Sequence, residues 1–416
     1  MRSGPLRLGS VLNPRAHRTA ARIRSLSIAA AVLIGCHSSP TSSTTTSADS
    51  LAVPTGVPGG LTFVNISASG SARTCGLTSA GSVYCWGDGH STEGDFPLGG
   101  LIYSSATPVN VGTQLQFAKL SVAYIHSCAV TAAGAAFCWG SNVAGEAGIG
   151  STDTLSAPRV QVAGGIALDT ASAGAWHSCG LHTGIAYCWG LNHRGQLGAA
   201  TDSGPQQCHW PNGAASCSLS PVAVAGGLTF VRISTGDYHT CALTAQGKAY
   251  CWGDNLLGQL GNNSLVDHSS VPVPVAGGLT FSAMQAGGYH TCALKGDGTA
   301  YCWGRDWDGE LGTGVTIDSV PTPTLVNGGL TFRQISSGEF HSCGVTTTFA
   351  AYCWGDDEAA QLGNGIFGAS SNIPVQVSGG HQFVDVATGL LHTCALTSAG
   401  VAYCWGDELC QVHACW

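Results

Sequence analysis

"HTCALTSAGVAYCWG", residues 392–406, is the stretch on which the reading of this chain turns. It alternates like two short strands around Ser398-Ala399-Gly400, a three-residue loop with glycine at the position that takes a left-handed conformation. That register sets Cys394 opposite Cys404. The phrase recurs, varied, with Cys75 and Cys85, Cys128 and Cys138, Cys179 and Cys188, Cys241 and Cys251, Cys292 and Cys302, and Cys343 and Cys353. Unit three is one residue shorter, and a two-residue Thr183-Gly184 loop keeps Cys179 and Cys188 opposed. Unit six has Phe349 where five other units have the loop glycine.

Working outward, the second cysteines follow one another at spacings of 53, 50, 63, 51, 51 and 51 residues. The clearest unit, "VPVPVAGGLTFSAMQAGGYHTCALKGDGTAYCWG" at 271–304, contains four β-prone runs: Val271–Val275, Leu279–Gln285, His290–Leu294 and Thr299–Trp303. On the hairpin, Cys292, Leu294, Ala300 and Cys302 share one face and Ala293, Tyr301 and Trp303 the other. Two apolar faces suit a sheet sandwiched between sheets. Seven such units predict an all-β fold, a seven-bladed β-propeller of about 51-residue repeats with a cross-strand disulfide in each blade. The run Val53–Val57 is expected to complete the last blade and close the ring.

The motif "GxxHTCAL…G.AYCWG.N..GQLG", best seen at His239–Gly261 and His290–Gly312, resembles the regulator of chromosome condensation (alpha-tubulin suppressor-like) repeat over residues 53–407. The resemblance implies the same propeller. It also brings a range of expected activities: guanine-nucleotide exchange on a small GTPase with chromatin contact in eukaryotes, and enzyme inhibition through a loop face in an exported bacterial relative. The final "ELCQVHACW" departs from the motif, as do Arg73, which stands where the other units have histidine, and the insertion 199–220.

Compartment is read from the N-terminus. Residues 1–36 carry six arginines and no acid, then "LSIAAAVLIGC", a short apolar run before a cysteine. This is the layout of an export signal, and Leu33–Cys36 resembles a bacterial lipobox in which Cys36 is lipidated. The domain reading is therefore a lipoprotein signal at 1–36, a Ser/Thr-rich tether at 37–52, the propeller at 53–407 and an atypical tail at 408–416. Removing the signal leaves nine basic residues against 23 acids, a net charge of −14 with His neutral. That weighs against a nucleic-acid partner.

The 19 cysteines then resolve into nine pairs and one lipid anchor. Seven pairs are the hairpin staples. The other two are Cys208 with Cys217 in the insertion and Cys410 with Cys415 in the tail. Zinc is the rival, because His-x-Cys on one strand plus the opposing cysteine supplies three ligands per blade. Unit one keeps both Cys75 and Cys85 but has Arg73 for the histidine, so disulfides are favoured over metal or free thiols. No metal or cofactor is expected.

His126, His177, His239, His290, His341 and His392 occupy one repeat position, read as structural and hydrogen-bonded to the preceding turn. Asp88, Asp254, Asp356 and Asp407 after "WG" are read as turn formers. No nucleophile–base constellation stands out, and the insertion offers only Asp202 and His209 as an acid–base pair, so an enzyme is not the expectation.

The residue before each repeat histidine varies in size: Ala72, Ile125, Trp176, Tyr238, Tyr289, Phe340 and Leu391. If these turns share a rim, Ile125, Trp176, Tyr238, Tyr289, Phe340 and Leu391 form a binding face for a protein partner, extended by Trp210 and Trp307; otherwise they cap the core. The functional expectation is a monomeric, non-catalytic scaffold, exported and lipid-anchored in the bacterial cell envelope, which binds a protein partner through one loop face. The alternative is a module that binds glycan or another envelope polymer.

Overall fold

The structure, a computed structural model, describes residues 52–407 apart from 69, 71, 88–104, 113, 154–159, 203 and 211–212. Cys36 and the segments expected as signal and tether up to residue 51 lie outside the described residues. So do Cys410 and Cys415, the cysteines expected to pair in the tail.

Seven antiparallel sheets follow one another along the chain. In blade five the strands are Ala283–Ala286, His290–Leu294, Ala300–Arg305 and Ser319–Leu325, paired in that order. The first strands of neighbouring blades touch one another all the way round, so they surround the axis. The cysteines stand opposite each other in every hairpin, including the shortened one. Each expected hairpin pair is disulfide-bonded: Cys75 to Cys85, Cys128 to Cys138, Cys179 to Cys188, Cys241 to Cys251, Cys292 to Cys302, Cys343 to Cys353 and Cys394 to Cys404. Their Cα atoms are 4.0–4.1 Å apart, the close approach of directly opposed residues.

The repeat as it reads in sequence is offset from the blade. The run expected as the first strand of a unit, Val271–Val275, belongs to the strand His268–Pro274, which pairs with the preceding blade, Cys251 opposite Val273. The ring closes by this same offset, since Thr55–Gly56 pairs with Tyr403 and Cys404 of blade seven. The second expected run is also shorter than predicted, with only Ala283–Ala286 in the sheet. Its Leu279–Phe281 part forms a latch instead. The Phe281 amide donates to the carbonyl of Gly247, in the hairpin turn of the blade before, at 2.8 Å. Every blade repeats this bond at 2.8 Å, from Phe63 to Gly400 round to Phe383 to Phe349. Phe349 takes the left-handed φ of 69° that glycine has in the other three-residue turns, so the turn survives at the strain cost of a non-glycine residue.

The core is seven cores, one in each gap between blades. The Cys-Leu-Ala-Cys face of blade five (Cys292, Leu294, Ala300, Cys302) meets Phe332, Ile335 and Trp354 of blade six. The same partition recurs between blades four and five and between seven and one.

Polar groups cross each gap as well. The repeat histidines bond the preceding turn, as expected, but through their backbone carbonyls, as in Gly236 N to His239 O at 2.8 Å; their side chains have another partner. Each reaches the next blade, as in His239 Nε2 to Thr291 Oγ1 at 2.9 Å and His290 Nε2 to Ser342 Oγ at 2.8 Å. His392 to Thr74, at 2.9 Å, completes the circle. In the gaps from blade two to blade seven, the hydroxyl donates to the backbone carbonyl of a Gln or Glu in the loop after "CWG", as Thr291 does to Gln259. The same carbonyl accepts the Trp indole N–H of the next blade. Because these hydroxyl protons are committed, the histidine must donate from Nε2, which fixes its tautomer. In blade one Arg73 does this work with a longer reach, donating to Ala123 O at 3.2 Å and Ser127 Oγ at 3.4 Å.

Candidate functional site: the axial rim

The turn before each repeat histidine and the loop after each "CWG" meet at one end of the blades. The Asp254 amide donates to Tyr238 O at 2.9 Å, Arg305 to Tyr289 O at 3.0 Å and Asp356 to Phe340 O at 2.9 Å. Glycine makes this approach possible. Gly253 has φ 99°, and a Cβ there would lie 2.4 Å from the Tyr238 carbonyl oxygen. The sheet register shifts at this glycine, so the bulge aims the following loop across the rim.

The predicted ring is brought together in part. Trp176, Tyr238, Tyr289, Phe340 and Leu391 are half-buried on this end, while Ile125 is 1% exposed and offers no surface, which removes it from the proposed face. The Tyr238 and Tyr289 rings lie 6.4 Å apart, and Tyr238 also meets His193 edge-on at 5.5 Å. The Trp176 indole donates to the Tyr238 hydroxyl. Trp307 is half-buried on Arg305, whose guanidinium lies 4.8 Å from the Trp307 ring and 4.3 Å from that of Phe340. Arg305 is in turn held by Glu310 at 2.8 Å and Asp308 at 3.0 Å.

The insertion folds onto this rim. Gln206–Trp210 and Gly213–Ala223 form a hairpin stapled, as expected, by a disulfide between Cys208 and Cys217. Those two cysteines pack with Leu191 against Trp176 and Tyr238. Trp210 pairs with Gly213 through its backbone. The His209 side chain lies outside the described residues, but that of Asp202 is defined. Asp202 bonds His268 Nε2 at 2.9 Å, while Asp267 holds Nδ1 at 2.9 Å. With both ring nitrogens engaged by carboxylates, His268 has none left to activate a nucleophile, and its pKa is raised chiefly by Asp202.

Sequence reasoning missed the acids. A recess opens on the axis inside the ring, lined by small residues together with Tyr124, Asp237 and Glu339. Asp237 and Glu339 sit two residues before the histidine, a position that also varies from blade to blade. Burial pushes the Asp237 carboxyl up to about 7, an effect Arg305 partly offsets. Burial also raises both tyrosines, and Asp237, Glu339 and Asp254 add to the rise. The rim therefore combines π-faces with acceptor oxygens. Asp254 and Asp356 are not simple turn formers. They are buried, accept hydrogen bonds from Gln259 and Gln361, and are raised to about 6 and about 7 by burial. Among the described residues no three His, Cys, Asp or Glu side chains converge as metal ligands.

Two models described as the regulator of chromosome condensation (RCC1) repeat match the chain. One covers 63–93, 230–259, 281–309, 332–361 and 383–411, the other 183–243, 246–294, 297–345 and 350–396, together more than half of its length. The ultraviolet-B receptor UVR8 of Arabidopsis thaliana is 34% identical over 191 residues, 45% of this chain and 43% of the receptor. The chain spans less than half the length of the curated relatives it matches. Human WBSCR16 superposes with a TM-score of 0.70 at 20% identity, covering 85% of this chain and 89% of its own. Prp20p of Saccharomyces cerevisiae, whose structure was determined with its binding to Gsp1p and histones, gives 0.67 at 21%, covering 83% and 84%.

Proposed function

The chain belongs to the regulator of chromosome condensation repeat family, and from that premise we propose that it is a non-catalytic, protein-binding scaffold displayed in the cell envelope by a lipid on Cys36. The observation that carries the reading is the rim itself. Trp176, Tyr238, Tyr289 and Phe340 stand half-buried around an axial recess whose acids are Asp237 and Glu339. Rigid aromatic side chains with a polar handle bury large areas on binding at low entropic cost. Carboxylates beside them select for a partner surface bearing Lys or Arg. The yeast relative described with Gsp1p and histones makes a protein partner a natural use of the fold; neither partner is carried over to this acidic chain, and nucleotide exchange is not part of the proposal.

The test is affinity capture from the envelope of the native organism. A non-reducing mass first verifies the disulfides, including the one proposed between Cys410 and Cys415. The bait chain is compared with a variant carrying Trp176→Ala, Tyr238→Ala, Tyr289→Ala and Phe340→Ala. A protein held by the parent chain and lost from the variant is the expected result. Equal capture by both moves the site off this rim. Capture of cell-wall glycan in place of a protein makes the polymer-binding alternative correct.

A further inference from the structure

Outside the axial rim, one surface feature recurs on three successive blades. The loops after the third strands of blades four, five and six carry Leu265 and Val266, Val315 and Ile317, and Ile366 and Phe367. All six are between 48% and 67% exposed. Single exposed apolar residues are ordinary, but a contiguous set at one repeat position marks an interaction surface.

The loops are also joined into one edge. Each docks on the outer strand of the next blade: Asn263 N donates to Pro321 O at 2.9 Å and Gly314 N to Asn372 O at 2.8 Å. The third loop follows the same rule, but the chain it meets is the N-terminal entry, with Gly365 N donating to Ala52 O at 2.8 Å. Ala52 is fully buried and packs against Ala360. The polypeptide thus enters the propeller beside Ile366 and Phe367, at the end of the apolar edge. Only 15 residues, 37–51, lie between Cys36 and Ala52, so even a fully extended connection reaches about 55 Å.

We propose that this edge is a lipid-contact surface: a lipid at Cys36 holds the entry side of the propeller at the membrane, and the six side chains insert into the interfacial layer of the bilayer. This rests on the lipid-anchor reading above. A lipid at Cys36 attaches the chain but does not by itself orient the propeller, for which a second contact with the bilayer is needed. Interfacial insertion of apolar side chains on neighbouring loops supplies such a contact. Because these loops follow "CWG", they lie at the same end of the blades as the axial rim, and the contact turns that end toward the membrane surface.

The experiment uses the full chain processed in a bacterial host with lipoprotein maturation, its lipid verified by intact mass, and reconstituted on vesicles of phosphatidylethanolamine and phosphatidylglycerol. Amide exchange is compared with that of a soluble Cys36→Ser chain. The amides of 262–267, 313–318 and 364–368 are expected to exchange about tenfold more slowly on the vesicle. The hairpin turns 244–248 and 295–299, at the other end of the blades, should be unchanged. A chain carrying Ile366→Ser and Phe367→Ser should stay attached through its lipid yet lose protection in the third loop. Loops that exchange at the soluble rate on an attached chain overturn the contact and leave the anchor standing. A chain that is exported and cleaved without a lipid on Cys36 removes the anchor reading and this proposal together.

Discussion

The gaps between blades and the axial rim are built from the same repeats under opposite constraints. In the gaps, successive blades are near copies: a Trp, a Ser or Thr and a cysteine pair return at each interface, with a His at six of the seven and Arg73 at the other, because each gap must be filled to the same shape. On the rim, the two positions before the histidine run from Ala175-Trp176 through Asp237-Tyr238 and Gly288-Tyr289 to Glu339-Phe340. Nothing in the packing forces them to agree. In this molecule, then, sameness marks residues that hold the ring and difference marks residues free to be selected for a partner.

The contrast breaks if interior residues prove dispensable. Trp303→Ala is expected to have the largest effect. Trp303 is fully buried, packs on Phe281 with centroids 5.9 Å apart, and donates to Gln259 O at 3.0 Å. Its truncation should cost about 3–5 kcal/mol, read from denaturant unfolding with the disulfides intact. A cost under about 1 kcal/mol would show that the gaps tolerate variation as the rim does.

His290→Asn is a smaller perturbation. It removes the donor to Ser342 across the gap between blades five and six and should cost about 1–3 kcal/mol. Arginine at the same position is the sharper variant. Arg73 shows that a guanidinium can span this gap in blade one, so His290→Arg should recover part of the loss if the cross-gap bond is what matters.

The smallest effect expected is in the pH profile. Burial lowers His126, His177, His239, His290 and His341 to about 3 and His392 to about 4. These histidines are neutral in the folded chain and would take up protons on unfolding, so their contribution is present above the unfolded value near 6.5 and is lost as pH falls below it. Seven carboxyls act in the opposite sense, among them Glu310, which burial also raises. Asp237, Asp306 and Asp356 are raised to about 7 and Asp254, Asp357 and Asp385 to about 6, mainly by burial. Their contribution is present below the unfolded value near 3.8 and lost as pH rises through 6–7. The two sets offset each other between about pH 6.5 and 4. The melting temperature should therefore stay nearly level over that window and drop between about 4 and 3, where the histidines act alone. A steady fall from pH 6.5 downward would mean the carboxyls are not held neutral.

Much of this was legible along the chain because it is local. Cross-strand pairs such as Cys128 with Cys138 and Cys343 with Cys353 follow from two-residue alternation and turn length. The shortened Thr183-Gly184 turn read correctly because loop length sets register within a dozen residues. The partner of each histidine did not, since it lies on the next blade, about 50 residues away, and no pattern within one repeat distinguishes it from the preceding turn. Ile125 shared its repeat position with Tyr238 and Phe340, and only packing separated the buried residue from the half-buried ones. Asp237 and Glu339 belong to no local motif, and only the axis gathered them at one recess.

The sequence by itself determined the number of repeats, the strands of each hairpin, the opposition of their cysteines and the family, because these depend on short-range periodicity that is written seven times. Only the tertiary structure decided which strand belongs to which blade, which hydroxyl each histidine meets and which variable residues share the axial mouth. Those relations arise when the ring closes and residues about 50 or more positions apart come within hydrogen-bond distance.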